Sequence, residues 1–199
     1  MVTAHPQGRA PGPGRRLRRA ERREQILVAA TRAFARRGFS ATSLDDVATE
    51  AAITPVLLYR HFDSKAAMYR AVLDRACTRL EETVGSDDFD QDTLPGLVRA
   101  AATDPEAFRL LFHHAAREPD FRDVVDSLAA TSADVAERHL AALIAEGPWL
   151  TWAARVVPVV TIEAIIGWLD AGQPDPDLAA GLIRQAIGGV IHAAQQASG

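Results

Sequence analysis

Three helix-start signals crowd into the 24 residues from Thr42 to Lys65, TSLDDVATEAAITPVLLYRHFDSK, and they leave this stretch few options. Thr42-Ser43 ahead of Asp45-Asp46 sets overlapping Ser/Thr-x-x-Asp capping patterns, the mark of a helix N-terminus. Leu44, Val47, Ala48 and Ala51 follow at helical spacing and give that helix one apolar face. After a break at Ala52-Ile53, Thr54-Pro55 opens a second helix. Proline suits the first helical position because it has no N–H to leave unpaired, and it biases Thr54 toward the extended backbone of an N-cap. Asp63-Ser64-Lys65 ends that helix and caps the next. Ile53, Leu58 and Phe62 can pack inward, leaving Pro55, Val56, Leu57, Tyr59, Arg60 and His61 outside. Two short helices joined by a tight turn, the second with exposed side chains, form a helix-turn-helix, whose second helix enters the DNA major groove.

Charge distribution points the same way. Residues 1–37 carry ten arginines against Glu21 and Glu24, a balance of +8, while the whole chain stands at −4 and the remainder therefore at −12. A basic end on an acidic body reads as a nucleic-acid-facing arm on a part that does not touch DNA. Cys77 is alone, which excludes a disulfide framework and a cysteine metal site. No uninterrupted apolar run reaches the roughly 18 residues of a membrane span, and Arg15-Arg16-Leu17-Arg18-Arg19 is followed by a charged segment instead of the apolar core of a signal peptide. A cytoplasmic location is expected.

Along the chain every periodic segment is helical, so the predicted class is all-α. Residues 1–14 are Pro/Gly-rich and expected to be disordered. Residues 15–63 form the helix-turn-helix domain, its first helix running from near Arg16 to Arg37 and stopped by Gly38. Residues 64–199 form a helical body. There the spacing predicts a helix from Ser64 to about Val84 and a loop over Gly85 to Asp92. A helix over Thr93 to Thr103 is interrupted early at Pro95, and another runs from Asp104-Pro105 to near Glu118. A long amphipathic helix spans Pro119 to about Glu146. Trp149 to Leu169 is apolar all round, which calls for burial on every side, with Pro158 as a kink or break. In the last helix, Asp175 to Ala197, Gly181, Gly188 and Gly189 permit close approach of a neighbouring helix.

Arg22 to Leu73 resembles the DNA-binding domain of the tetracycline-repressor (TetR) family of bacterial regulators. The matching elements are Ile26-Leu27, Ala29-Ala30, Phe34, Gly38, Thr42-Ser43, Val47-Ala48, Leu58-Tyr59, His61-Phe62 and Lys65. The resemblance covers about a quarter of the chain and implies a homodimer, joined through the two C-terminal helices, on a pseudo-palindromic DNA operator. It also implies a repressor released by an unknown, largely apolar small-molecule effector. Carried over by position, Thr42, Tyr59, His61 and Lys65 contact phosphates, while Thr54, Pro55, Val56, Leu57 and Arg60 face base edges. The chain departs from the family at Ala52, where glycine is usual, and at Pro55-Val56-Leu57, where polar or small residues are. Those three offer base edges no hydrogen bonds, only contacts with thymine methyl groups. Arg60 is therefore expected to supply most direct hydrogen-bond readout, and the arginine arm to add minor-groove or phosphate affinity.

For the effector, the candidates are Phe108, Phe112, His114, Trp152, Glu163 and Trp168, aromatic walls with a few polar groups. Glu163, read as a carboxylate inside an apolar helix, needs Arg155, Arg184 or a ligand cation as partner. No enzymatic motif is present: His113-His114 with Glu118 lacks zinc-protease spacing, and neither G-x-S-x-G nor a phosphate loop occurs. No cofactor and no metal site are expected. The competing readings are a non-specific nucleoid-type DNA binder, for which the basic arm would suffice, and a regulator of the same family without a ligand.

Overall fold

The computed structural model describes residues 19–85 and 92–198, and among these every regular element is helical. The expected N-terminal tail, the arginines at 9, 15, 16 and 18, and residues 86–91 of the acidic loop lie outside the described residues. Helix α1 (Arg19–Ala41) carries a break at Gly38, whose φ of 74° no other residue type adopts so readily. The short helices α2 (Leu44–Glu50) and α3 (Pro55–Tyr59) follow, then α4 (Lys65–Val84). Two hydrophobic cores form. The first gathers Ile26, Ala30 and Phe34 of α1, Val47, Leu58 and Phe62 of the helix-turn-helix, and Met68, Tyr69, Val72 and Leu73 of α4. It also takes in Leu110, Leu111 and Phe121 from beyond residue 100, so α4 and the following segments cement head to body.

The second core belongs to the body: α5 (Thr93–Thr103), α6 (Pro105–Arg109), α7 (Arg122–Leu140), α8 (Pro148–Asp170) and α9 (Pro176–Ser198). Several expectations are corrected here. Pro95 does not interrupt α5, because it sits in the first turn, where a missing N–H costs nothing. The helix foreseen from Pro105 to Glu118 is three pieces: after α6 the chain widens into a π-helical turn, Leu110–His114, and then tightens into a 3₁₀ turn, Ala115–Arg117. The next helix starts late and ends early, since Pro119–Phe121 is a 3₁₀ turn and α7 stops at Leu140. Helix α8 continues unbroken past Pro158 as one element, Arg155 and Glu163 included. Contrary to the run-counting expectation, α8 is long and apolar enough to cross a membrane, with a mean hydropathy of 1.5 over eighteen residues. In this fold it lies against α7 and α9, burying Leu150, Ala154, Val157, Ile165 and Leu169.

Burial of α8 is one-sided. Trp149, Trp152 and Val159 stay exposed, Val159 at 60%, and so do Leu178 and Leu182 on α9. The three glycines of α9 meet no close neighbour within the subunit: a Cβ added at Gly181, Gly188 or Gly189 would find nothing within 4 Å.

Candidate nucleic-acid interface

Local capping builds the interface. The Ser43 hydroxyl accepts from the Asp46 amide at 3.1 Å, and the Asp46 carboxylate accepts from the Ser43 amide at 2.8 Å, a reciprocal capping box that starts α2. The Ser43 hydroxyl also donates to the Asp46 carboxylate at 2.7 Å; that hydrogen bond, then the one from the Ser43 amide, and then Arg37 at 3.0 Å hold the Asp46 carboxyl below its ordinary pKa. At the turn, Ala52 takes φ 52°, the left-handed conformation that glycine would adopt without strain. The Ile53 amide donates back to the Ala48 carbonyl at 3.0 Å, and the Gln25 side-chain amide donates to the Ala51 carbonyl at 3.2 Å, tying the turn to α1. Thr54 then caps α3, its hydroxyl accepting from Leu57, with Pro55 at the first helical position.

Leu58 and Phe62 are buried and anchor α3; the Arg23 guanidinium stacks 5.1 Å above the Phe62 ring. Their burial fixes what faces outward. Thr54, Pro55, Val56, Tyr59 and Arg60 are exposed, Val56 at 66%, while Leu57 and His61 are half-buried. One surface thus offers methyl groups, a phenol, an imidazole and a guanidinium. Partial burial, and then the positive charges of Arg19, Arg23 and Arg22, hold the His61 imidazole below its usual pKa.

Two of the residues expected at phosphates have other commitments. Thr42 is 1% exposed, and its hydroxyl donates inward to the Gly38 carbonyl at 2.7 Å, closing the end of α1; the helix cap is its neighbour Ser43. Lys65 sends its ammonium to the Phe39 carbonyl at 2.9 Å and the Ser40 carbonyl at 3.4 Å, over the Phe39 ring at 4.4 Å. It clasps the end of α1, past the Gly38 break, from the start of α4.

The body carries a cleft of about 310 Å³ between α4, α5 and α6. Of the six expected effector residues it unites two, Phe108 and Phe112. His114 lies on the π-helical turn outside the lining, its imidazole held below the usual pKa by burial and then by Arg117, His113 and Arg109. Trp152 is on the exposed face of α8. Trp168 is a core residue whose indole N–H donates to the Pro174 carbonyl at 2.7 Å. Glu163 is corrected as well: its side chain is 60% exposed and lies 3.4 Å from His113, so it is not a buried carboxylate. Residues that periodicity missed complete the cleft, chiefly Arg79, Leu80, Thr83 and Asp104. Arg79, Leu80 and Thr83 sit on α4 and Asp104 at the start of α6, across the gap from or beside Phe108 and Phe112, and a stripe read along one helix carries no signal of what faces it. Among the described residues no group of three or more His, Cys, Asp or Glu side chains is arranged to hold a metal ion.

Comparison with known proteins agrees with this geometry. Residues 26–72 match the sequence profile of "Bacterial regulatory proteins, tetR family". The chain is 29% identical to the HTH-type transcriptional activator FasR of Mycolicibacterium smegmatis, over 90% of this chain and 87% of that one. It is 34% identical to the HTH-type transcriptional repressor KstR2 of Mycobacterium tuberculosis, over 55% of this chain and 54% of the relative. Among solved structures, a TetR-like transcriptional regulator from Rhodococcus sp. RHA1 superimposes with a TM-score of 0.75 at 23% identity, covering 86% of this chain and 96% of that one.

Proposed function

The chain belongs to the tetR family of bacterial regulatory proteins, DNA-binding regulators of transcription, and on that premise we propose that it is a cytoplasmic, homodimeric repressor released from a pseudo-palindromic operator by a small molecule. The observation that carries the reading is the outward face of α3. Its anchors Leu58 and Phe62 are buried, while Val56, Tyr59 and Arg60 project into solvent on a helix braced by α1. A helix so presented fits the major groove, with Arg60 as the hydrogen-bonding reader, Val56 and Leu57 as methyl contacts, Thr54 and Pro55 beside them at the base edges, and Tyr59 and His61 as phosphate contacts. Thr42 and Lys65 support the interface indirectly, by holding the end of α1 past the Gly38 break.

The apolar faces of α8 and α9, open in the single subunit, supply the surface for a second copy. A two-fold pair places its recognition helices about one DNA turn apart, roughly 34–36 Å. Repression requires nothing more than occupying the operator with the surfaces described. The relatives are transcriptional regulators, which supports reading the chain as a non-enzyme.

Selection of bound sequences from a random duplex pool tests the proposal. The expected result is an inverted repeat bound about 10³–10⁷-fold more tightly than random DNA. Arg60→Ala should relax the preference at one base pair per half-site, by roughly 10- to 150-fold. Recovery of no motif, with affinity collapsing uniformly as salt rises, would overturn it in favour of a non-specific binder.

A further inference from the structure

The cleft between α4, α5 and α6 is chemically two-sided. Its interior is apolar, with Leu80, Leu111 and the paired rings of Phe108 and Phe112, whose centroids lie 4.7 Å apart at 49°. Its rim bears Arg79, Glu82 and Asp104 beside the hydroxyls of Thr83 and Thr103.

The rim charges decide what can enter. The Arg79 guanidinium donates to the Glu24 carboxylate at 2.8 Å. Its neighbour Arg75, only 8% exposed, donates to that same carboxylate at 2.8 Å and lies 3.7 Å from Asp104. Two cations are thus matched by two anions, Glu24 and Asp104. Glu82, at the rim, has no ion pair among the described residues and leaves the site one negative charge in excess. An incoming anion would meet Glu82 and would have to strip Arg79 from Glu24. An incoming cation meets an unmatched carboxylate and aromatic faces, which attract organic ammonium groups.

We propose that this cleft binds an amphipathic organic cation, its apolar body against Phe108 and Phe112 and its charged nitrogen toward Glu82 and Asp104, and that binding loosens the DNA-binding head by competing with Arg75 for Asp104. The inference rests on reading the cleft as the effector site. The coupling follows from what Arg75 joins. Glu24 belongs to α1 of the head, Arg75 to α4, and Asp104 caps α6 by accepting from the Ala107 amide at 3.1 Å. A second cation at Asp104 repels the guanidinium that bridges the three helices. Leu80 and Phe112, which line the cleft, also pack against both hydrophobic cores, so an occupant that spreads them disturbs the head as well as the body.

The test uses the full chain, the operator recovered by selection, and three probes that share a ten-carbon tail below their aggregation concentrations: decyltrimethylammonium, decanoate and decanol. Binding is read by calorimetry and release by fluorescence anisotropy of labelled operator. The cation should bind at least ten-fold tighter than decanoate or decanol and should release the operator. Glu82→Gln, on an exposed face, and Asp104→Asn, which keeps an acceptor to cap α6, should each weaken the cation by about ten-fold, the loss of one charged partner. Operator affinity without ligand should remain in Glu82→Gln and fall in Asp104→Asn, which takes from Arg75 the carboxylate that the ligand would compete for. Equal or tighter binding of decanoate or decanol, no binding by any probe, or an undiminished cation affinity in Glu82→Gln overturns the proposal. Tight cation binding that leaves the operator in place overturns its coupling half. A chain that yields no operator fails the regulatory reading instead, while the calorimetric comparison still decides the chemistry of the cleft.

Discussion

Ala52 holds the turn between α2 and α3 at φ 52°, a conformation in which its Cβ crowds the following carbonyl. Its side chain is exposed, so it contributes little packing in return. Ala52→Gly should therefore raise unfolding free energy by about 1 kcal/mol, read from denaturant midpoints at constant slope; a drop would mean that chain entropy in the unfolded state outweighs the relieved strain. His61 lends itself to a test by pH. In the free protein its pKa lies below the ordinary 6.5, so folding alone loses a little stability as pH falls through that value. A neighbouring phosphate reverses the preference, because it favours the charged imidazole. The complex then takes up a proton, and operator affinity should rise as pH falls below neutrality, by at most about ten-fold per pH unit for one proton. His61→Gln should flatten that slope; an unchanged slope would remove His61 from the phosphate contacts.

At the scale of elements, the starts of α2, α3 and α4 were legible in their own few residues. Ser43 with Asp46, Thr54 with Pro55, and Ser64 all cap where the sequence says they should, because capping is a contact between near neighbours. The π-helical turn at Leu110–His114 was not legible. LLFHH has no composition that distinguishes it from ordinary helix. The partners of Thr42 and Lys65 were not legible either: they are the carbonyls of Gly38, Phe39 and Ser40, set by how the chain folds back. Tyr69 on α4 shows how tightly the elements meet. Its ring packs within 5.0 Å, centroid to centroid, of Phe34 and Phe39 on either side of the Gly38 break and of Phe121 in the turn before α7. Among the described residues its hydroxyl is the one buried side-chain polar atom without a hydrogen-bond partner. Burial, and then the charge of Glu118, push its pKa upward. Tyr69→Phe should accordingly stabilise the protein by about 1 kcal/mol in thermal or chemical unfolding, and destabilisation would reveal a partner for that hydroxyl in solution.

For the whole molecule, the all-α plan and the outward face of α3 followed from periodicity, whereas the cleft and its charge balance did not, since both arise between helices far apart in sequence. The open face of α8 and α9 was foreseen as a helix too apolar for one side to satisfy. Val159→Arg, at a site 60% exposed in the single subunit, should leave the fold intact and give a monomer by sedimentation. Its operator affinity should fall by roughly 10²–10⁴-fold, the cost of losing the linkage between two half-site contacts. A dimer that survives would place the interface elsewhere. One feature of the head reaches beyond stability and binding. Lys65 is the chain's sole lysine, and its amine is engaged by two carbonyls and a ring at the junction of α1, α2 and α4. An amine-selective acylating reagent therefore has a single side-chain target in the entire protein. The rate at which it is consumed times the opening of that junction, a chemical clock already installed at the point where head meets body.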